Sequence, residues 1–362
     1  MADDQKPEMT LQSLRQEIDR IDREVLRLIN ERARAAGDIG RLKTGVLYRP
    51  EREAQVLRGV RENNPGPLSG DTIAFLFREI MSACLAHERP ITAACLGPSG
   101  TYSEAAAVRH FGHAANTLGC ATLEDVFRAA ETGKADFAVV PVENSTEGAV
   151  GRTLDLMIES PLKVCGEIQL RVRHQLLVPP GIAELKQVRR VYSHSQSLGQ
   201  CQHWLNANLP QAERLSVASN AEAARLAAET DDAAAIAGEL AGERYGLNVL
   251  AAHIEDEASN TTRFLVLGPE IPGPSGRDKT SLVLATRNRP GAIHELLTPL
   301  ARHGVSMTRL ESRPSRTALW EYVFFVDVEG HCSEAAVAAA IGEIEEKASF
   351  CKVLGCYPAA AL

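Results

Sequence analysis

Apolar residues recur along the first part of the chain with helical spacing. From Leu11 to Leu42 they alternate three and four positions apart, with Arg32 in the series, which predicts one long helix with a coiled-coil-like stripe capped by Thr10. A small domain cannot cover so long a stripe, so we expect partner helices and a dimer. A second helix is predicted from Pro50. A third carries on one face Ile73, Phe77, Ile80, Cys84 and Glu88.

Beyond about residue 91 the pattern changes to short apolar runs, such as 91–96 and 137–142, separated by helical stretches. This is typical of an α/β domain. The segments 123–150 and 220–247 form a weak repeat, because each contains Ala-Ala-Glu-Thr and continues into an apolar strand. The repeat predicts two similar lobes.

The segment 269–279 is rich in proline and glycine and is predicted to be a linker. After it the pattern predicts strand, helix, two strands, helix and strand, which is the ferredoxin-like order βαββαβ. The predicted ranges are 281–286, 292–303, 306–312, 320–328, 334–346 and 352–357. We therefore expect a helical domain over 1–90, a two-lobed α/β domain over 91–268 and a ferredoxin-like domain over 280–362.

Composition narrows the class of protein. Hydrophobic residues make up 44% and charged residues 24% of the chain, and no apolar run approaches the ~18 residues of a membrane span. A net charge of −8 without a basic stripe argues against a nucleic-acid partner. The eight cysteines lack a C-x-x-C pair and the N terminus lacks a signal-peptide run, which favours buried thiols, no metal and a reduced, cytoplasmic compartment.

Charged residues interrupt the apolar stripes of the predicted helices. A buried, unpaired Arg32 would cost several kcal/mol, and Lys43 lies further along nearly the same helix face. The two are expected to converge on an anionic ligand. Arg15 would lie about 25 Å from Arg32 and could come from an antiparallel partner helix. Glu88 ends the third stripe, and a structural Arg32/Glu88 pair is the alternative explanation.

These residues resemble the all-helical chorismate mutase domain over residues 9–88. The resemblance implies an intertwined dimer in which Arg15 comes from the second chain. Arg49 and Cys84 stand where aspartate and serine are common, and they are kept as candidate contacts. The substrate contacts implied within one chain are Arg32, Lys43, Arg49, Arg52, Glu53, Cys84 and Glu88.

The implied reaction is the rearrangement of chorismate to prephenate, which needs orientation and charge stabilisation but no nucleophile or cofactor. Arg32 would bind a carboxylate, and Lys43 would stabilise charge on the ether oxygen. Glu88 stands where many relatives have glutamine and must be protonated to donate a hydrogen bond to that oxygen. We therefore expect the reaction to be faster at acidic pH.

Polar groups cluster at helix and strand ends of the α/β part. Hydroxyl-rich turns at two predicted helix N-termini carry Thr101 with Ser103 and Ser195 with Ser197, where free N–H groups can bind carboxylates. Plain helix capping is the alternative. The loop 141–148 follows a strand, where α/β proteins place ligand loops. An exposed polar loop is the alternative for this segment. A second polar group, 260–264, precedes an apolar strand and is weak evidence by itself.

In this order and spacing, the four segments resemble the prephenate dehydratase domain over residues 92–268. The resemblance implies two lobes similar to type II periplasmic binding proteins, with prephenate in the cleft and Thr262 as the catalytic threonine. The reaction removes water and CO2 to give phenylpyruvate, and Thr262 would polarise the leaving hydroxyl. Arg263 would bind substrate or order the motif. The implied substrate contacts are Thr101, Ser103, Asn144, Ser145, Ser195, Thr262 and Arg263.

Two motifs of the C-terminal part, at 288–293 and 311–314, resemble the ACT regulatory domain of phenylalanine-responsive enzymes. A glycine at 291 would let a bound amino acid approach the backbone closely; a plain tight turn is the alternative. The resemblance implies that L-phenylalanine binds between paired ACT domains as an allosteric inhibitor. The implied contacts are Pro290, Gly291, Ala292, Glu311, Ser312 and Arg313.

Together the three resemblances imply a bifunctional enzyme of phenylalanine biosynthesis that acts on chorismate and prephenate, without cofactor, as a homodimer or dimer of dimers. Three alternatives stay open. The helices could serve only for dimerisation, the dehydratase could prefer arogenate, or the chain could be a non-catalytic amino-acid-binding regulator. The absence of a signal peptide and the motif around Thr262 weigh against the last.

Overall fold

The computed structural model of this protein describes residues 10–42, 48–315 and 322–360. It begins with three helices, α1 (Leu11–Leu42), α2 (Pro50–Glu62) and α3 (Gly70–Glu88). The backbone N–H of Ser13 donates to Thr10 Oγ1 at 3.1 Å, so Thr10 caps α1 as predicted. Pro50 opens α2, where its missing N–H leaves no helical bond unmade.

Helix α1 leaves its apolar stripe uncovered within the chain. Leu14, Ile18, Ile21, Val25 and Leu28 are each 45% to 56% exposed. The helix packs against α3 without a fully buried residue of its own. Because exposed apolar area costs about 25 cal/mol per Å², a stripe of this length has the character of an interface.

Tyr48 anchors the helical part to the α/β part. Its ring is 6% exposed and packs edge-on against Phe111 and Phe137. Its hydroxyl hydrogen-bonds His110 Nε2 at 3.0 Å. Burial lowers the pKa of His110 to about 3, so this ring is neutral at physiological pH. The helical part is thus joined to the next domain by a core contact as well as by the chain.

The first lobe is an α/β layer. Buried alanine and valine positions give it a continuous apolar core on both sides of the sheet. Its elements up to the hinge are β1 (Thr92–Leu96), α4 (Tyr102–Phe111), β2 (Asn116–Cys120), α5 (Leu123–Glu131), β3 (Phe137–Asn144), β4 (Gly148–Ala149), α6 (Gly151–Glu159) and β5 (Lys163–Arg171).

The second lobe has its own sheet and core. Its elements are β6 (Gln175–Val178), a 3₁₀ turn (Leu185–Gln187), β7 (Arg190–Ser193), α7 (Ser195–Gln200), α8 (Gln202–Asn208), β8 (Glu213–Ser216), α9 (Asn220–Ala228), β9 (Ala233–Ala237), α10 (Glu239–Tyr245) and β10 (Asn248–Ala251). The chain then returns to the first lobe as β11 (Thr261–Gly268). Both copies of the repeat fold as a helix followed by a central strand, α5–β3 and α9–β9, which agrees with the two predicted lobes.

The C-terminal domain has the predicted βαββαβ order. Its elements are β12 (Asp278–Ala285), α11 (Ala292–Arg302), β13 (Met307–Pro314), β14 (Tyr322–Glu329), α12 (Ala335–Lys347) and β15 (Phe350–Pro358). Strand β12 starts within the segment expected to be linker, and the start predicted for the third strand, 320–321, lies outside the described residues.

The first lobe and the C-terminal domain share one sheet, in the order β13-β14-β12-β15-β5-β11-β3-β1-β2, with β4 beside β3. The junction is the parallel pair Gly355 and Val164. A Cβ at Gly355 would overlap the Val164 backbone, so the close approach requires glycine. The second lobe forms a separate sheet, β10-β6-β9-β7-β8. No helix in the described part of the chain is long and apolar enough to cross a membrane.

Candidate functional site

Thr262 lies near the start of β11, just after the hinge between the lobes. It pairs with Asn144 at the end of β3. Asn144 Nδ2 donates to Thr262 Oγ1 and to Asn260 Oδ1, each at 2.8 Å. Because the Thr262 oxygen accepts from Asn144, its own hydrogen is left to donate to a ligand. This arrangement can polarise a hydroxyl group placed against Thr262.

The loop after β3 is held to the hinge by reciprocal hydrogen bonds. Ser145 N donates to Thr261 O at 2.9 Å, and Thr261 N donates to Ser145 Oγ at 3.0 Å. Asn144 Oδ1 accepts the N–H groups of Thr146 and Glu147 at 3.0 and 3.1 Å. These bonds bring Asn144 and Ser145, which lie on a different loop in sequence, beside the start of β11.

The first hydroxyl-rich turn is a helix cap. Thr101 Oγ1 accepts the N–H of Glu104 at 3.2 Å and donates to Leu96 O at 2.7 Å. The capping alternative therefore describes the Thr101 hydroxyl, whose hydrogen is used within the chain; a contact between Thr101 and substrate stays a prediction. Ser103 is buried in the first turn of α4.

The second hydroxyl-rich turn is organised by Asn220, which sequence reasoning did not single out. Asn220 Nδ2 donates to Ser197 Oγ at 2.9 Å, while its Oδ1 accepts from Ser193 Oγ and His194 N. Ser195 opens α7 and is exposed. Of the two candidate serines in this turn, Ser195 is the one open to solvent.

The two lobes touch through a buried carboxylate on α4. Glu104 binds Arg244 of the second lobe at 2.8 Å and also accepts from Ser99 and Thr117. Burial alone would raise the pKa of Glu104, but the bond from Gly100 N, the two hydroxyl donors and the Arg244 charge together hold it below its usual value. Glu104 therefore stays ionised and ties the lobes together.

The residues expected to form a pocket in the helical part fall into two groups. Glu88 lies against Gly40 near the end of α1, where a Cβ would overlap its carboxylate. Glu88 Oε1 is buried and lacks a hydrogen-bond partner among the described residues. Glu53 lies 3.8 Å from the guanidinium of Arg78, which is on α3. Burial raises the pKa of Glu53 to about 7.

The other helical candidates are spread over the bundle surface. Arg15 and Arg52 are exposed, Arg32 is half-buried and Cys84 is buried. Arg49 lies 3.9 Å from Glu51. Lys43 lies outside the described residues. No hydrogen bond or ion pair within the described chain joins these side chains into one site.

The C-terminal domain has a cavity of about 220 Å³ beside its first strand-helix turn. Gly291 and Ala292 line it together with Tyr322 and Phe324. Gly291 has φ +80°, a conformation that favours glycine. Pro290 immediately precedes it. Glu311, Ser312 and Arg313 lie on β13, the edge strand of the sheet, and do not line this cavity.

Comparison with known proteins covers nearly the whole chain. Family models match residues 14–89 (chorismate mutase type II), 93–272 (prephenate dehydratase) and 280–346 (ACT domain). A bifunctional chorismate mutase/prephenate dehydratase of Neisseria gonorrhoeae is 55% identical over 96% of this chain and 97% of its own length. This chain belongs to the bifunctional chorismate mutase/prephenate dehydratase family. It is therefore an enzyme with a mutase unit and a dehydratase unit.

Solved structures resemble the dehydratase and ACT parts. A prephenate dehydratase from Arthrobacter aurescens in complex with L-Phe is 34% identical, covers 74% of this chain and 90% of its own, and has a TM-score of 0.68. GqqA, described as a quorum-quenching acylase, is 32% identical over 74% of this chain and 98% of its own, with a TM-score of 0.69. The same architecture thus occurs under a different reported activity, so function has to be argued from the site.

Arg263 of the dehydratase unit points away from Thr262, as neighbours on a strand do. Its guanidinium binds Glu167 at 2.9 Å, Asp327 at 2.6 Å and the Tyr357 hydroxyl at 2.9 Å. Asp327 and Tyr357 belong to the ACT domain. The expected substrate contact of Arg263 is therefore corrected: all three of its nitrogens are committed to a buried link between β11 and the ACT domain.

Two further arginines of the ACT domain reach the dehydratase unit. Arg309 binds Glu143 at 3.0 Å, one residue before Asn144. Arg313 binds Asp155 of α6 at 3.1 Å. The Arg313 guanidinium, which was expected to contact phenylalanine, is thus already paired within this chain. Both ion pairs put the ACT domain in direct contact with the dehydratase unit, and Arg309 does so beside Asn144.

One group of possible metal ligands occurs among the described residues: His331, Cys332 and Cys356 lie with ligand atoms within 4.8 Å of one another. Both ring nitrogens of His331 are already hydrogen-bonded, Nδ1 to Ser333 Oγ at 2.7 Å and Nε2 to Pro272 O at 2.9 Å. Burial raises the pKa of Cys356 to about 12. An imidazole whose two nitrogens are already hydrogen-bonded and a protonated thiol do not suit a metal.

Proposed function

We propose that the dehydratase unit converts prephenate to phenylpyruvate with Thr262 as the donor to the leaving hydroxyl. The observation that carries this proposal is the hydrogen bond from Asn144 to Thr262 Oγ1, which orients the threonine hydrogen outward. A threonine hydroxyl is a weak acid, so it polarises the C4 hydroxyl rather than transferring a full proton. Aromatisation of the ring drives the loss of water and CO2.

The other proposed contacts of the dehydratase site differ in how many observations support them. Asn144 and Ser145 are fixed next to Thr262 by bonds within the chain. Ser195 faces solvent on the opposite lobe and is suited to a carboxylate. Ser103 remains a candidate from the first turn of α4. Prephenate and arogenate differ in the side chain on the ring. The proposed contacts do not distinguish between these two side chains.

For the mutase unit we propose a pocket completed by a second copy of the chain. Arg32 and Lys43 would bind and stabilise the anionic substrate, Arg15 would come from the second copy, and Glu88 would donate to the ether oxygen when protonated. The exposed stripe of α1 and the unpartnered Glu88 Oε1 support this arrangement. The remaining proposed contacts are Arg49, Arg52, Glu53 and Cys84.

The chemistry of Glu88 sets the expected pH dependence of the mutase. Only the protonated carboxyl can donate a hydrogen bond to the ether oxygen, so mutase activity should rise as the pH falls. The amide of Glu88→Gln donates at any pH, so this variant should have a flatter mutase pH profile. An unchanged profile in the variant would remove Glu88 from this role.

For the ACT domain we propose inhibition by L-phenylalanine. The cavity beside Gly291 and Ala292 would hold the amino acid, and Pro290 would shape its turn. Glu311 and Ser312 lie on an edge strand, where they would reach the site of a paired subunit. The proposed assembly is a homodimer or dimer of dimers in the cytoplasm, with domains over 1–90, 91–268 and 280–362.

A coupled assay tests these proposals together. Purified full-length chain is given chorismate, then prephenate, each with and without L-phenylalanine, and prephenate and phenylpyruvate are measured. We expect both conversions, with phenylalanine slowing phenylpyruvate formation. Dehydratase activity without chorismate consumption would support helices that only dimerise. Turnover of arogenate in preference to prephenate would change the substrate, and phenylalanine binding without either reaction would support the regulator alternative.

A further inference from the structure

A cavity of about 580 Å³ lies between the mutase helices and the dehydratase unit. Its walls come from α2, α3, the outer face of α4, the hinge 170–175 and the turn 238–243 of the second lobe. Thr262 and Asn144 do not line it, whereas Thr101 at the start of α4 does, so the cavity adjoins the dehydratase site but is not centred on Thr262. Its size is in the range of small-molecule pockets.

Arginines from separate elements converge on this cavity. Arg61 comes from α2, Arg78 from α3, Arg109 from α4, and Arg171 and Arg173 from the hinge. Burial lowers the pKa of Arg109 and the charges of Arg78, Arg173 and Arg61 lower it further, against the opposing effect of a nearby aspartate. The convergence of like charges is unfavourable without an anion.

Several of these guanidinium groups have free donors. Arg61 Nε and Arg78 Nε are buried and lack a hydrogen-bond partner among the described residues, and Glu53 Oε1 lies 3.8 Å from Arg78 Nε, beyond hydrogen-bond distance. The side chains of Arg109 and Arg173 are exposed and form neither a hydrogen bond nor an ion pair among the described residues. A buried, unsatisfied donor costs about 1–3 kcal/mol, so the two buried Nε groups favour a ligand with acceptor oxygens, to which the exposed guanidinium groups can also donate.

The carboxylates that also line the cavity leave these donors available. Asp71 binds Arg61 through a different nitrogen, Nη2, at 3.0 Å. Glu79 is engaged by His113, through Nδ1 at 3.1 Å. Glu239 and Glu243 are exposed at the edge of the second lobe. The interior between α3, α4 and the hinge is therefore the cationic part.

We propose that this cavity is a binding site for a small cyclic dicarboxylate, and that its occupant is prephenate, the product of one unit and the substrate of the other. Two carboxylates match arginines from separate elements, Arg78 of α3 and Arg173 of the hinge among them. Phe75 and Leu240 offer apolar surface to the ring. Leu170 in the hinge wall pairs with Thr262, so the site adjoins the strand next to the catalytic one.

Arginine footprinting tests this site in the full chain. The Thr262→Ala variant is treated with phenylglyoxal while prephenate is kept in excess, and modification of single arginines is followed by mass spectrometry. We expect prephenate to slow modification of both Arg109 and Arg173 about 5-fold, as for a site at about four times Kd. Arg128, which is 67% exposed and bound to Asp125, is the matched control and should react at an unchanged rate.

Three results would overturn the proposal. Equal rates for Arg109 and Arg173 with and without prephenate would mean that the cavity does not bind it. Equal slowing of the modification of Arg128 would mean that prephenate protects arginines everywhere on the protein and not by filling the cavity. Inorganic phosphate at the same ionic strength, if it protects as strongly as prephenate, would mean an unspecific anion site. Phenylpyruvate formation by the wild-type chain is measured separately, so a failure of the dehydratase assignment is seen independently of the footprint.

Discussion

The two catalytic units differ in how much of a site one chain supplies. In the dehydratase unit Thr262, Asn144 and Ser145 are joined by hydrogen bonds within a single chain. In the mutase unit the α1 stripe is exposed, and the buried Oε1 of Glu88 has no hydrogen-bond partner in the described chain. The fold of one chain thus brings the dehydratase candidates together, whereas it leaves the mutase candidates apart.

Removal of the Thr262 hydroxyl is the largest expected effect. In Thr262→Ala the dehydratase kcat/KM should fall about 10²–10³-fold, because a donor aimed at the leaving group is lost, while mutase activity stays unchanged. Thr261→Ala is the control, since that hydroxyl donates to the Ser259 carbonyl. Assays with prephenate and with chorismate measure both. Near-normal dehydratase rates in Thr262→Ala would refute the assignment.

Arg263 tests the link between the dehydratase site and the ACT domain. Arg263→Leu should lower the free energy of unfolding by about 3–5 kcal/mol, because the buried carboxylate of Asp327 loses its cation, while Glu167 keeps only Lys279. Phenylalanine inhibition of the dehydratase should also weaken, while mutase activity is kept. Urea unfolding and an inhibition curve measure these effects.

The matched control for Arg263 is Arg128→Leu. Arg128 also pairs with a carboxylate, that of Asp125, but it is exposed, so its replacement should cost less than about 1 kcal/mol. Equal destabilisation in the two variants, or full phenylalanine sensitivity in Arg263→Leu, would contradict a coupling role for Arg263.

Disruption of the α1 stripe tests whether the mutase needs a second chain. The double variant Ile18→Glu/Ile21→Glu places charges on the exposed stripe, and we expect it to be monomeric by light scattering. Mutase activity should fall about 10²-fold because the groups that orient the substrate are separated, and dehydratase activity should change little. Arg23→Glu, on the polar side of α1, is the control. A monomer with full mutase activity would show that one chain suffices.

Glu53 tests how a buried carboxylate in the mutase helices affects stability. Burial raises its pKa from the usual 4.5 to about 7, so the folded state disfavours the ionised form. Stability should therefore fall as the pH rises from about 4.5 to 7 and stay low above. The Glu53→Gln variant has no carboxylate to ionise and so does not lose this stability. Because the Glu53 side chain is only 18% exposed, solvent screens the effect little, and the variant should be more stable than wild type by about 2 kcal/mol at pH 8.

Urea unfolding at pH 5 and pH 8 measures the Glu53 effect. The difference in stability between Glu53→Gln and wild type should be smaller at pH 5, where the carboxyl is protonated in the folded state. Glu62→Gln, at the exposed end of the same helix, should show no such dependence. The same difference at both pH values would exclude a buried, protonated Glu53.

Much of the dehydratase site could be predicted from local sequence. The loop predicted after one strand carried Asn144 and Ser145, and the polar segment before another strand carried Thr262; the structure brings the two segments together. The orientation of Arg263 could also have been read from strand alternation, which places it opposite Thr262. Tyr48, Glu104 and Asn220 carried no such signal. Their partners are His110, Arg244 and Ser197, and nothing in the local pattern identifies these pairs.

Apolar periodicity and turn residues by themselves determined the order and type of the elements, from the α1 stripe to the βαββαβ order of the ACT domain, because these depend on contacts between near neighbours in the chain. Only the tertiary structure decided the shared sheet through Gly355, the link from Arg263 to Asp327 and the arginine-lined cavity. Each depends on residues far apart in sequence, whose meeting requires the packed lobes. The apolar stripe of α1 belongs to both groups, because the sequence predicts it and the folded chain leaves it exposed.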